Sequence, residues 1–230
     1  MKQYIMGVDL GKKNDYSVIS VIKEGFHRKA KPTVQDLEVG HEGEVVTTRV
    51  WQILHLERIE LGTDYTRVIE IVKELLSTAE LANNTDLVVD ATGVGAPVVD
   101  FMRHSGLNPV PLLYTSGNQT NMGSDGIVRV PKADLANTLL FYWNSGRLKY
   151  PSNLPFLDKL LLEMGSFVVK ITKSVNMTYE ALQETDHDDM VMSVAMAVWW
   201  GSYTRPWAQK TNRLDKIGED AYDPRTYLTQ

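Results

Sequence analysis

Runs of apolar residues separated by polar connections recur along most of the chain, and their lengths predict an α/β domain. Apolar or β-branched runs of strand length occur in five places, at 4–10, 16–22, 50–60, 87–90 and 109–114. The short polar segment 11–15 predicts a hairpin between the first two, and the third would complete an antiparallel meander. Segment 27–49 is polar and mixed in charge, and we interpret it as an excursion from the sheet.

Helical spacing marks the segments between and after these strands. Apolar residues recur at i, i+3, i+4 and i+7 after Thr63 or Asp64, either of which could cap the helix. Three further helices are predicted near 97–104, 133–145 and 187–200. Segment 116–130 is rich in glycine and predicts a loop or long hairpin, whereas 154–185 predicts a helix and a strand pair.

This order of elements predicts a mixed five-stranded sheet, a meander plus parallel strands, flanked by helices. The first helix has to return the fourth strand parallel to an earlier one by a right-handed crossover. If that neighbour is the first strand, Asp9 and Asp90 lie side by side at adjacent carboxyl ends, where open α/β sheets bind ligands. Adjacent strands are about 4.8 Å apart, so two carboxylates there could share a metal ion.

The amino-acid composition excludes chemistry that depends on cysteine, but it leaves open whether the protein binds nucleic acid. The 230 residues include no cysteine, which excludes disulfides, zinc–thiolate sites and thiol catalysis and fits a reducing cytoplasm. We find no signal peptide and no apolar stretch long enough for a membrane span. The net charge of −5 disfavours a protein that coats nucleic acid, yet a metal site built from carboxylates would also make the total more negative.

Four aspartates stand at positions that suggest a shared site. Asp9 and Asp90 each end an apolar strand, and Asp188 and Asp189 begin the last apolar helix. Singly, each has an ordinary structural interpretation as a turn residue or a helix cap. Together they predict a cation site, because carboxylates gathered at one buried edge are costly without compensation. Asp15 is near enough to Asp9 in sequence to be an outer ligand.

Carboxylate ligands without cysteine favour Mg²⁺ or Mn²⁺ over zinc. Two such ions about 4 Å apart can activate a water molecule and stabilise the leaving oxygen of a phosphodiester. The five histidines show no zinc-ligand spacing, and His187 is the only one we place near the chemistry.

These motifs resemble those of a known family. The segments GVD at 7–9, VDATGVG at 89–95 and HDD at 187–189, in this order, resemble the nuclease domain of tailed-bacteriophage terminase large subunits. The resemblance extends over about residues 4–200 and implies a ribonuclease-H-like fold. It also implies an endonuclease that cleaves double-stranded DNA during genome packaging, using two divalent metal ions.

The resemblance assigns roles to particular residues. Asp9, Asp90 and Asp189 would be the catalytic metal ligands, Asp188 an auxiliary acid and Asp15 an outer one. It implies double-stranded DNA, a packaging ATPase domain, the portal and the small terminase subunit as partners, without a membrane, in the cytoplasm of an infected bacterium.

Two departures from the family pattern leave alternatives open. The family often has a further aspartate three residues after the last ligand, where this chain has Met192, so either Asp188 or Asp189 could be the principal ligand. The phosphate-binding motif GxxxxGK[ST] of a packaging ATPase does not occur. The chain is therefore expected to be either an excised nuclease domain or a separate nuclease.

The sequence gives less information about DNA contacts and domain limits. Arg129 and Lys132 flank the glycine-rich loop and could bind phosphates, although ordinary solvated charges are the simpler interpretation. The family suggests that the loop gates access of the duplex. We expect a nuclease domain over 1–202 and a polar C-terminal tail over 203–230 that could dock a partner.

Other functions share the same sequence features. A Holliday-junction resolvase-like nuclease would use the same carboxylates. The segment VDLG at 8–11 also resembles the first phosphate loop of actin-like ATPases and sugar kinases, but a second glycine-rich loop is missing and the chain is short for two such domains. A non-catalytic docking module would leave the four acids unexplained.

Overall fold

A computed structural model describes residues 2–11, 15–31, 44–92, 95–174 and 188–206. The strands are β1 (Tyr4–Asp9), β2 (Val18–Lys31), β3 (Glu44–Arg58), β4 (Thr85–Asp90), β5 (Pro109–Thr115), β6 (Asn121–Met122), β7 (Val128–Pro131) and β8 (Leu148–Lys149). The helices are α1 (Tyr65–Leu76), α2 (Gly95–His104), α3 (Lys132–Asn144), α4 (Leu157–Ser174) and α5 (Asp189–Thr204).

The strands form one mixed sheet in the order β6-β7-β5-β4-β1-β2-β3-β8. The meander β1–β2–β3 is antiparallel, and β4 returns parallel to β1, as the crossover predicted. Because Val8 pairs with Val89, the next residues of the two strands, Asp9 and Asp90, stand side by side. The mixed α/β class is confirmed, with three short strands, β6, β7 and β8, added to the five predicted ones.

Helices cover both faces of the sheet. On one face, α1 and α2 bury an apolar cluster with β1 and β4. On the other face, α3, α4 and α5 enclose a larger cluster that includes Ile5, Trp51 and Val88. Helix α5 is buried on all sides, from Met190 to Ser202, because it lies between the sheet and the other two helices.

Several predicted boundaries change in the structure. Residues 27–31 and 44–49 belong to β2 and β3, so interpreting them as an excursion was wrong; the two strands stay paired as far as Lys31 and Glu44. The glycine-rich segment 116–130 contains the β6–β7 hairpin. Within 154–174 there is one helix, and the predicted strand pair could lie only outside the described residues. Helix α1 begins after Asp64, which makes no side-chain capping hydrogen bond.

A charged cluster holds the far end of α5 to the sheet. The buried Arg205 contacts Asp86 of β4 at 3.0 Å and Glu24 of β2 at 3.5 Å. Lys2 also contacts Asp86 at 3.2 Å, and Arg49 contacts Glu24 at 2.8 Å, so each acid has a second cation. This cluster lies at the end of the sheet opposite Asp9 and Asp90.

We expect Arg205→Ala to lower the free energy of unfolding by about 2 kcal/mol. Breaking a buried ion pair typically costs 3–5 kcal/mol, and the second cations reduce that cost here. Arg67→Ala is the matched control, because its partners Glu70 and Glu74 are exposed and their loss should leave the unfolding midpoint nearly unchanged. Equal effects of the two variants in urea unfolding would contradict the prediction.

In the described ranges, no helix is both long and apolar enough to cross a lipid bilayer.

Candidate active site

Asp9 and Asp90 point toward the face of the sheet that α5 covers. Side chains alternate along a strand, and Ile5 of β1 and Val88 of β4 belong to the core on the α5 side. Asp9 lies four residues after Ile5, and Asp90 lies two after Val88, so both carboxylates project to the same side. The predicted placement of Asp9 and Asp90 side by side at adjacent strand ends is confirmed.

Helix α5 brings Asp189 to the same place. The hydroxyl of Ser193 donates a hydrogen bond to the carbonyl oxygen of Gly7 at 2.9 Å, which fixes the helix against β1. Asp189 lies one helical turn before Ser193, and Asp9 lies two residues after Gly7. A helical turn rises about 5.4 Å, and two strand residues about 6.6 Å, so Asp189 and Asp9 reach the edge of the sheet together.

The aspartates act on one another electrostatically. Burial raises the pKa of Asp9 well above its ordinary value, and the negative charges of Asp90, Asp189 and Asp188 raise it further. Lys132 opposes this shift. Among these contributions to the pKa of Asp9, three negative charges therefore stand against the single positive charge of Lys132.

Asp90 is held by its own loop. Burial raises its pKa, while hydrogen bonds from Thr92 and Asp9 lower it. The backbone N–H of Thr92 donates to Oδ1 of Asp90 at 2.7 Å, and the hydroxyl of Thr92 accepts a hydrogen bond from the N–H of Tyr114 at 2.9 Å. These contacts fix the turn after β4 to the end of β5.

Of the remaining predicted residues, Lys132 lies beside the acids, whereas Arg129 and Asp15 do not contact them in the structure. Nζ of Lys132, at the start of α3, lies 3.5 Å from Oδ2 of Asp188, so it borders the acidic group. Arg129 lies in β7 and its guanidinium pairs with Asp125 at 2.6 Å. Asp15 is exposed between β1 and β2 and is not among the main contributors to the pKa shift of Asp9. His187 lies outside the described residues.

Two residues of this site were not predicted from the sequence. The hydroxyl of Tyr114, at the end of β5, is buried without a hydrogen-bond partner among the described residues. Its pKa is raised well above the ordinary value by burial and by Asp90, Asp9 and Asp188. Glu163 of α4 reaches the start of α5. The position of Tyr114 at the end of an apolar strand was a usable signal, whereas Glu163 has none.

The oxygen atoms of these aspartates suit a hard divalent cation chemically, but the side chains are not arranged around a common point where an ion could sit. Carboxylate oxygens are the ligands that Mg²⁺ and Mn²⁺ prefer. In the part of the chain that the structure describes, however, no three acidic or histidine side chains are arranged so that they could hold an ion together. The adjacent pair Asp9 and Asp90 fits as a partial site, and a third ligand has to be brought in.

The sequence has detectable relatives. No protein-family model matches the chain. The terminase large subunits of Thermus virus P23-45 and Thermus phage G20c are each 27% identical to it over 194 residues. The aligned region covers 84% of this chain and 31% of each relative, so the chain spans about a third of their length.

Solved structures show a related fold. The large terminase nuclease from thermophilic phage G20c aligns with a TM-score of 0.52 at 23% identity, over 85% of this chain and 81% of that one. The manganese-soaked human cytomegalovirus terminase nuclease domain aligns more weakly, with a TM-score of 0.44 at 13% identity over 91% and 88%. The first alignment supports the fold, and the second is too distant to add to it. The chain is similar in sequence to these terminase large subunits over about a third of their length, and its described part has the ribonuclease-H-like fold of the phage G20c large terminase nuclease.

Proposed function

We propose that the chain is a metal-dependent endonuclease that cleaves double-stranded DNA as the nuclease of a genome-packaging terminase. The observation that carries the proposal is the gathering of Asp9, Asp90, Asp188 and Asp189 at one edge of the sheet. Nothing in the folding of an α/β domain requires four acids there. Acids placed together at a stability cost are typical of a functional site.

In this proposal Asp9, Asp90 and Asp189 hold two Mg²⁺ or Mn²⁺ ions, with Asp188 as an auxiliary ligand and Asp15 as a possible outer one. When bound, the ions would activate water and stabilise the leaving oxygen of the phosphodiester. A reorientation of the Asp189 side chain, with the first turn of α5 held in place, would add Asp189 to the pair Asp9 and Asp90. The excess negative charge at this edge favours that rearrangement once a cation arrives.

The neighbouring side chains have separate roles in the proposal. The ammonium group of Lys132 borders the acids at 3.5 Å from Asp188 and can contact a DNA phosphate when cations neutralise that acid. The hydroxyl of Tyr114 is a hydrogen-bond donor beside the acids. Arg129, paired with Asp125, can reach a phosphate only by exchanging that partner.

The wider setting follows from the relatives. Because the chain spans about a third of the Thermus proteins, we propose that its nuclease domain, over about residues 1–202, works with a packaging ATPase domain, a portal and a small terminase subunit in the host cytoplasm. Residues 203–230 would dock a partner. All but the first four of them lie outside the described part.

The test is cleavage of linear and supercoiled plasmid with Mn²⁺ or Mg²⁺, with and without chelator. We expect cleavage that the chelator stops and that Asp90→Asn lowers at least 100-fold, since changes even in residues that only support metal ligands cost about 10–100-fold. Asp100→Asn is the matched control, because this acid is exposed on α2 and contacts Arg103. Cleavage that survives both chelator and Asp90→Asn would refute the mechanism. Exclusive cutting of four-way junctions would favour a resolvase.

A further inference from the structure

The start of α5 carries two acids, yet its N-cap residue does not cap it. The first N–H groups of a helix have no partner within the helix and need an acceptor from elsewhere. Asp188 occupies the N-cap position and makes no side-chain capping hydrogen bond. Its Oδ2 instead lies 3.5 Å from Nζ of Lys132. The usual role of an aspartate at this position is therefore left to another residue.

Glu163 of α4 takes that role from outside the helix. Its Oε2 accepts hydrogen bonds from the N–H groups of Met190 at 3.0 Å and Val191 at 3.3 Å. These two residues directly follow Asp189 in the first turn of α5. A carboxylate at a helix N-terminus also interacts favourably with the helix dipole, and charge-assisted hydrogen bonds of this kind are roughly twice as strong as neutral ones.

From this geometry we infer that Glu163 is a positioning residue, which holds the first turn of α5 so that Asp189 lies beside Asp9. The inference rests on the proposed function, because it concerns how the same carboxylates are presented to a metal ion. Helix α5 is fixed to β1 lower down by the Ser193–Gly7 hydrogen bond. Glu163 fixes the turn above it, which is the part of the helix that carries Asp189.

The surroundings of Glu163 fit a supporting role. The negative charge of Asp189 raises the pKa of the Glu163 carboxyl, and the positive charge of Arg58 of β3 lowers it. The guanidinium of Arg58 lies over the ring of Tyr16, with its carbon 3.4 Å from the ring centroid, so Arg58 is itself held in place. Glu163 thus joins α4 to the helix turn that carries the acids, with the charge of Arg58 of β3 acting on its carboxyl.

The experiment compares Glu163→Ala, which removes the acceptor, with Glu163→Gln, which keeps a carbonyl oxygen for the two N–H groups. Ser202→Ala is the matched control, because it removes a buried hydrogen bond to Tyr142 at the far end of α5. Three properties are measured: Mn²⁺ affinity by calorimetry, amide hydrogen exchange of Met190 and Val191 in metal-free protein, and kcat and KM for plasmid cleavage.

We expect Glu163→Ala to weaken Mn²⁺ binding and to lower kcat by about 10–100-fold, the usual effect of losing a residue that orients a metal ligand. KM for DNA should stay the same, and exchange at Met190 and Val191 should accelerate. Glu163→Gln should keep most of the Mn²⁺ affinity and kcat, because it keeps the acceptor but loses the charge, and Ser202→Ala should remain close to the unchanged protein in both.

Each contrary result has a distinct meaning. A Glu163→Gln variant as impaired as Glu163→Ala would overturn the positioning role, because a residue that binds the ion directly needs its charge. Ser202→Ala impaired to the same degree would also overturn it, by showing a general loss of stability. If the unchanged protein binds Mn²⁺ and does not cleave DNA, the nuclease proposal fails, while the effect of Glu163→Ala on Mn²⁺ affinity still tests the inference.

Discussion

Replacing Asp9 with asparagine should abolish DNA cleavage and, at the same time, make the metal-free protein more stable. The charged form of Asp9 is strongly destabilised, because burial and three neighbouring aspartates all oppose its charge. Asparagine has nearly the same shape and keeps a donor for the hydrogen bond to Asp90. The substitution therefore removes repulsion without leaving a cavity.

The expected size of the two effects differs. Cleavage should fall at least 100-fold, by the same reasoning as for Asp90→Asn, since ligand loss exceeds the 10–100-fold effect of supporting residues. The melting temperature without metal should rise by about 2–4 °C, which corresponds to about 1 kcal/mol for a domain of this size. Asp100→Asn is again the control, and neither its cleavage nor its melting temperature should change.

The same repulsion predicts how stability depends on pH. A carboxyl group with a higher pKa in the folded than in the unfolded state contributes stability below its unfolded pKa and loses it as pH rises through the folded pKa. For Asp9 and Asp90 this loss begins near the ordinary pKa of 3.8 and continues upward. The metal-free protein should therefore become less stable from about pH 4 to pH 8, and Asp9→Asn should flatten this slope.

The slope will not vanish in Asp9→Asn, because other acids contribute to it. Burial raises the pKa of Asp134 to about 6 and that of Glu163 to about 7. Unfolding in urea at several pH values, with chelator present, measures the difference between the two proteins. A variant that is no more stable than the unchanged protein at pH 8 would mean that Asp9 is not crowded by other charges.

The parts of the fold that follow from local pattern were accessible in the sequence. The apolar runs before Asp9 and Asp90, with one crossover helix between them, were enough to place both acids at the same sheet edge. The β6–β7 hairpin agrees with one of the two interpretations of segment 116–130, a loop or a long hairpin, whereas β8 was not predicted, since it is two residues long and carries no periodic signal. The polar part of β2 and β3 was missed because backbone hydrogen bonds can pair two strands without the apolar residues by which a strand is identified in the sequence.

In the candidate site too, residues with a local sequence signal could be predicted, and residues whose role depends on packing between distant segments could not. Asp188 and Asp189 could be identified because acids at the start of an apolar helix are visible in the sequence. Glu163 could not, because its role depends on how α4 packs against α5, a contact between segments 27 residues apart. The pairing of Arg129 with Asp125 likewise depends on the β6–β7 turn, which brings two residues four positions apart together.

The second large effect is expected at a glycine. Gly7 of β1 lies directly under α5, and a Cβ atom built on it would overlap the backbone carbonyl oxygen of Ser193 and lie 3.1 Å from the carbonyl carbon. The obstacle is backbone in the middle of a buried helix, so no side-chain rotation can relieve it. Gly7→Ala therefore has to displace α5 from the sheet or bend β1.

We expect Gly7→Ala to lower the free energy of unfolding by about 3 kcal/mol or more, at the upper end of the cost of overpacking a core. Any folded fraction should bind Mn²⁺ more weakly, because displacing α5 moves Asp189 away from Asp9. Removing the Ser193 side chain with Ser193→Ala should not rescue the variant, since the overlap is with the main chain.

Gly165→Ala is the matched control for this prediction. Gly165 lies within α4, and a Cβ atom there would meet nothing within 4 Å. Replacing a glycine inside a helix by alanine should raise stability by about 0.5–1 kcal/mol. The two variants are compared by urea unfolding. If Gly7→Ala is as stable as Gly165→Ala and binds Mn²⁺ normally, α5 does not lie as close to β1 as the site requires, and Asp189 would have to reach Asp9 by another route.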